Sequence, residues 1–116
     1  MTPENTMKLY SAFPGLYRGK DKTLQESMMS FGFDCGDGWF DLIWRLSNDI
    51  EAVVRREEID PESSDWPEAS GIKQKFGTLR FHVRNANDEI MNLIDEALEE
   101  SAMICEKTGK PRPESL

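Results

Sequence analysis

Apolar residues recur along this chain in two periods, and the switches between them mark its elements. Met7, Tyr10 and Phe13 fall at helical spacing behind Thr2-Pro3, a capping residue with proline at the first helical position. A short helix is therefore predicted over residues 3–12, closed by Phe13-Pro14-Gly15. Arg18 to Lys22 reads as a polar connection, and Thr23-Leu24-Gln25-Glu26 fits a capping box that opens a single turn through Met29. Between Phe31 and Gly38 three glycines and two aspartates fall within eight residues, which demands a turn-rich loop. The clearest helix follows. Trp39, Leu42, Ile43, Leu46, Ile50, Val53 and Val54 share one stripe of 3.6-residue period. Asp37 is placed to cap it, and Arg55 and Arg56 in its last turns suit the negative end of the macrodipole. Trp44 falls off the stripe, so it is expected either partly exposed or in a homodimer contact.

Residues 60–71 read as an acidic, proline-interrupted loop whose one large apolar residue, Trp66, pins it to the core. The period then changes to two. Ile72, Gln74 and Phe76 alternate with Lys73 and Lys75, Gly77 breaks the run, and Leu79, Phe81 and Val83 alternate with Arg80, His82 and Arg84. With Phe76-Gly77 as the turn, Ile72 faces Phe81 and Gln74 faces Leu79 on the core side, while Lys73 faces Arg80 on the other. Asn85-Ala86-Asn87-Asp88-Glu89 caps a last helix with stripe Ile90, Leu93, Ile94, Ala97, Leu98, Ser101 and Ile104, expected to end near Lys107. A hairpin alone is marginal in water, so helices must cover its apolar face. The predicted fold is α+β: two to three main helices on one face of a small antiparallel hairpin sheet, with room for a third strand from the N-terminal third. One compact domain is expected over residues 1–109, and residues 110–116 read as a flexible polar tail.

Composition narrows the function. At 116 residues the chain suits a single domain that can bury a core without a metal or disulfide. No apolar run is long enough to span a membrane, and Met1-Thr2-Pro3-Glu4-Asn5 has neither the basic nor the apolar region of a signal peptide. Two cysteines, Cys35 and Cys105, are too few for a disulfide framework, so a cytoplasmic location is expected. A net charge of −8 excludes a protein that coats nucleic acid or anionic membrane.

That figure hides a local reversal. Ile72 to Arg84 contains four basic residues (Lys73, Lys75, Arg80 and Arg84) and no acid. Setting those four aside leaves 10 basic against 22 acidic residues, a balance of −12 elsewhere. Like charges directly opposite on a sheet cost roughly 0.2–1 kcal/mol, so something should neutralise Lys73 and Arg80. An external anion is one answer, since arginine meets phosphate through its planar fork and lysine as a point charge. Lys73, Lys75, Arg80, His82 and Arg84 are the candidate anion-binding residues. The other answer is internal: acids of the last helix or of the 60–71 loop fold over them.

Two further candidates are weaker. Gly36, Asp37 and Gly38 lie where a glycine-rich loop meets a helix N-terminus, a geometry that offers backbone N–H groups to an anion. The loop lacks the Gly-Lys-Ser/Thr ending of a P-loop, the G-x-G-x-x-G dinucleotide pattern and the ligand spacing of an EF-hand, and Asp34 and Asp37 oppose phosphate. A tight turn that packs Phe31, Phe33 and Trp39 is the favoured reading of the loop. Cys35 near that helix start, with His82 as base, makes a thiol enzyme a minor alternative. No cofactor is implied. No metal is expected either, because Cys35, His82 and Cys105 show no paired ligand spacing.

The strings Phe33-Asp34-Cys35-Gly36-Asp37-Gly38-Trp39-Phe40-Asp41-Leu42-Ile43, Ile72-Lys73-Gln74-Lys75-Phe76-Gly77-Thr78-Leu79-Arg80-Phe81 and Glu99-Glu100-Ser101 resemble a family of small uncharacterised proteins encoded in tailed phages and prophages. The likeness covers about residues 4–110 and implies a phage context within a host cell rather than a mechanism. Longer members of that family end in a zinc ribbon opened by Cys-x-x-Cys. Here Cys105 stands at the first ligand position, but Thr108 occupies the second, so the resemblance implies no zinc. The expectation is a non-catalytic binding protein that holds a phosphate-bearing ligand or an acidic host partner on its basic hairpin face. The competing expectation is an acidic inhibitor, with residues 51–68 and 88–106 imitating nucleic acid to block a host DNA-binding or defence protein.

Overall fold

The computed structural model describes residues 1–21, 29 and 32–112. The turn expected at Thr23–Glu26, and Phe31, lie outside them. Along the chain come α1 (Pro3–Ala12), β1 (Phe33–Asp34), α2 (Phe40–Arg56), β2 (Glu68–Lys75), β3 (Thr78–Arg84) and α3 (Asp88–Ser101). Single 3₁₀ turns at Arg18–Asp21 and Asp37–Trp39 join them. The architecture is α+β, as the change of hydrophobic period predicts.

The sheet is mixed. β2 and β3 form the antiparallel hairpin, and β1 pairs parallel to β2 through Phe33 with Ile72 and Asp34 with Lys73. Alternation then sorts the side chains. Phe33, Ile72, Leu79 and Phe81 are buried on one face, while Lys73, Lys75, His82 and Arg84 are exposed on the other. The helices cover the apolar face. Trp39, Ile43 and Ile50 from the α2 side and Ile90 of α3 are wholly excluded from solvent. Each such side chain contributes roughly 1.5–3 kcal/mol relative to exposure. Tyr10, Tyr17 and Phe33 join the same core, their ring centroids 5.3–5.7 Å apart. Tyr17 satisfies its hydroxyl on Ser47 Oγ at 2.6 Å, and Ser47 donates in turn to the carbonyl of Ile43.

Several boundaries differ from the sequence reading, each for a tertiary reason. β2 begins at Glu68, inside the stretch read as loop, because the Ala69 N–H donates to Leu16 O at 2.8 Å and a bulge between Ala69 and Gly71 absorbs Ser70. Trp66 does pin the preceding loop, donating its indole N–H to Gly15 O at 2.9 Å. α3 stops at Ser101 rather than near Lys107. The Ser101 hydroxyl turns back to Leu98 O and also accepts from Leu79 N–H, so the helix end is fastened to β3. Ile104 then leaves the helix to bridge Pro111, and Arg112 N–H donates to Met103 O. The start of the stretch read as a flexible tail is thus hydrogen-bonded back to residues 103–105 as far as Arg112, although Lys110 and Pro111 stay exposed. Trp44 is 37 % exposed, its ring edge-on to Phe13 at 4.9 Å.

Candidate functional site

The hairpin register is the one that alternation predicts: Ile72 opposite Phe81, Gln74 opposite Leu79, Lys73 opposite Arg80. Phe76 and Gly77 form its turn with φ of 55° and 77°, both in the left-handed region that a two-residue hairpin loop requires. The outer face is therefore built of cross-strand rows. Asp34, Lys73 and Arg80 make one row, Lys75 and Thr78 a second, and Glu68 and Arg84 a third. Opposite residues in such rows stand on the order of 5 Å apart. Successive same-face positions along a strand are about 6.7 Å apart. Lys73 and Arg80 can thus converge on one anion.

Neutralisation from within is partial. Glu68, 3 % exposed, takes Arg18 at 3.1 Å and lies 4.0 Å from Arg84, and Arg18 stacks over the Trp66 ring. Arg84 therefore has an internal partner, as one of the two sequence readings requires. The predicted roof from α3 does not form: Glu100 reaches the other way, to Arg45 of α2 at 2.7 Å, and Glu89 binds Arg56. Among the described residues no carboxylate comes within 4.0 Å of Lys73, Lys75 or Arg80, although Asp34 shares their row. Arg80 Nε is shielded from solvent and, among the described residues, has no hydrogen-bond acceptor. His82 sits exposed opposite Gly71 on the same face.

The glycine loop is occupied by the chain itself. Gly36 N–H donates to the Glu106 carboxylate at 2.9 Å and Gly38 N–H to the Glu106 carbonyl at 2.6 Å. A Cβ on Gly36 or Gly38 would strike the backbone oxygens of Cys105 and Glu106, so both glycines are there for close approach of the C-terminal turn. Trp39 seals the joint by donating its indole N–H to Ile104 O at 3.0 Å. Asp37 does not cap α2, which has no side-chain cap. Its Oδ1 instead accepts from Thr2 N–H at 2.9 Å and from the Asn5 amide at 3.1 Å, tying down the start of α1. The Thr2 N–H above all holds the Asp37 carboxyl below its ordinary range. The N-terminal ammonium completes this corner by donating to the carbonyl of Cys35.

Cys35 lies at the floor of that corner, 8 % exposed, and burial pushes its thiol up to about 12. An activated nucleophile needs the opposite shift. His82 belongs to β3, with the whole of β2 between it and the strand that precedes Cys35. Cys105 is half-buried, and the Thr108 hydroxyl, with backbone N–H groups of Thr108 and Lys107, lowers its thiol below the usual value. Among the described residues no group of three His, Cys, Asp or Glu side chains is placed to hold a metal ion, and no helix is long and apolar enough to cross a membrane. No family model, curated protein or solved structure matches the chain.

Proposed function

We propose that this is a non-catalytic binding protein whose outer sheet face holds a phosphate-bearing ligand or an acidic partner. The observation that carries the reading is the Lys73–Arg80 pair. Two cations stand in register on an accessible face, and Glu89 and Glu100 of α3 turn to Arg56 and Arg45 rather than to them. Lys75 and the outer guanidinium nitrogens of Arg84 extend the positive field along the ribbon, so a small anion can collect more than one contact. In the phage setting implied by the sequence resemblance, the partner is a host factor or a host nucleotide.

The acidic-mimic alternative has less support, because Glu89 and Glu100 of the acidic helix are already paired across to α2. The thiol alternative has less still, given the burial of Cys35. A thermal-shift series with inorganic triphosphate at low ionic strength tests the main reading. The melting temperature should rise with triphosphate, the rise should shrink as salt screens the pair, and Lys73→Ala/Arg80→Ala should abolish it. No shift with any anion removes the basis of the proposal.

A further inference from the structure

The turn of the hairpin carries a residue that burial does not explain. Phe76 is 85 % exposed and holds φ at +55°, a conformation that favours asparagine or glycine over an aromatic residue. A phenyl group there costs backbone strain and gains almost no burial, and strained positions of this kind gather at ligand contacts. The turn itself is held from two sides. Thr78 donates its hydroxyl to Lys75 O at 2.8 Å, and Arg112 Nη1 donates to Gly77 O at 3.0 Å. The ring is therefore presented by a bonded turn, which lowers the ordering cost of any contact it makes.

The ring's surroundings favour one kind of occupant. Lys75 belongs to the outer face, and its Nζ lies 5.6 Å from the centre of the Phe76 ring, so the ring stands at the end of the basic face. Lys73 lies three residues back along β2, about 10 Å of strand. Opposite Lys73 is Arg80, whose Nε is shielded from solvent and meets no acceptor among the described residues. Asp34, the acid of that row, stands beyond Lys73 on β1, on the side away from Arg80. Read from the tip inward, the face offers an open aromatic ring, one cation and then a pair of cations. An aromatic base joined through a sugar to a chain of phosphates has the same order. Any base can stack on the phenyl face, and Lys and Arg take the phosphates as point charge and planar fork. An acid without an aromatic ring would leave Phe76 unused. A long nucleic-acid strand would run off the hairpin onto a surface whose balance is −12.

We infer that the ligand of the basic face is a nucleoside triphosphate, its base stacked on Phe76 and its phosphates held by Lys75, Lys73 and Arg80. This rests on the anion reading of Lys73 and Arg80 and adds to it the aromatic contact that selects a nucleotide among phosphates.

Calorimetric titration at low ionic strength with ATP and with inorganic triphosphate tests it. Inorganic triphosphate carries at least as much charge as ATP, so charge alone gives ATP no advantage. ATP should nevertheless bind at least about 5-fold more tightly, the worth of one stacked base. Phe76→Asn should erase that margin and leave the binding of inorganic triphosphate unchanged, because Asn-Gly suits a two-residue hairpin turn and keeps the cations in place. Phe76→Trp should keep the margin or widen it. In NMR spectra ATP should move the Phe76 ring protons upfield through the ring current of the base, and inorganic triphosphate should not. Equal affinity for the two ligands, a margin that survives Phe76→Asn, or ring protons unmoved by ATP would overturn the inference and leave the anion site standing. Tighter binding of an oligo(dA) strand than of ATP would do the same. Absence of binding by either ligand would overturn the inference together with the anion reading beneath it.

Discussion

Two places in this molecule look alike as anion sites and are used in opposite ways. The glycine loop at residues 36–38 presents backbone N–H groups beside a helix start, and the chain fills that position with its own Glu106. The outer face of the hairpin presents Lys73 and Arg80, and among the described residues nothing bonds to them. The first is a joint between the middle of the chain and its C-terminal turn. The second is a surface left to solvent or to a partner. A donor array thus signals a ligand site only after the chain's own acceptors have been placed.

The contrast makes graded predictions. The largest effect belongs to the joint. Gly38→Ala drives a methyl group into the carbonyls of Cys105 and Glu106, and should cost about 3 kcal/mol in urea unfolding. Glu106→Ala leaves Gly36 N–H without its carboxylate, and should cost about 1.5 kcal/mol. It also vacates an anion position, so sulfate should raise its melting temperature by more than it raises that of wild type. An equal response in both proteins would mean that the loop holds no such position.

The open face should behave in the reverse sense. Arg80→Glu places an acid opposite Lys73 and turns the row into alternating charges with Asp34. It should leave stability unchanged or raise it by about 0.5 kcal/mol while abolishing triphosphate binding. Loss of several kcal/mol would assign Arg80 to the fold and erase the contrast.

The smallest effect concerns Asp37, whose carboxyl is held low first by the Thr2 N–H and then by the Asn5 amide. A lowered folded value means that its contribution is intact above the ordinary 3.8 and fades as pH falls through the lower, folded value. Asp37→Asn should therefore be less stable than wild type at neutral pH, with the gap closing below about pH 4, read from paired thermal melts.

Local signals account for much of this. Thr2-Pro3 starts α1 at Pro3, Asn87 caps α3 by accepting from Ile90 N–H, and the period-two alternation around Gly77 determines the hairpin register down to the Lys73–Arg80 pair. What escaped the sequence was set by partners distant along the chain, most of them more than thirty residues away. Asp37 sits where a helix cap belongs, but Thr2 and Asn5 claim its carboxylate. Ile104 continues the α3 stripe in sequence, yet its carbonyl is required by Trp39. Glu68 looks like the end of an acidic loop and is instead a buried strand residue serving Arg18. The filling of the glycine loop by Glu106 has no local signature at all, although two glycines spaced for close backbone approach were the visible hint. The candidate basic residues were all legible from alternation; their division into Arg84, 4.0 Å from Glu68, and a Lys73–Arg80 pair with no carboxylate within 4.0 Å among the described residues needed the third dimension.

The most direct test of the central claim is a backbone amide titration by NMR with inorganic triphosphate at low ionic strength. The account predicts saturable shifts concentrated on residues 73–75 and 78–84, absent in Lys73→Ala/Arg80→Ala, with residues 36–38 unmoved. Shifts centred on the glycine loop, or none along the hairpin, would contradict it.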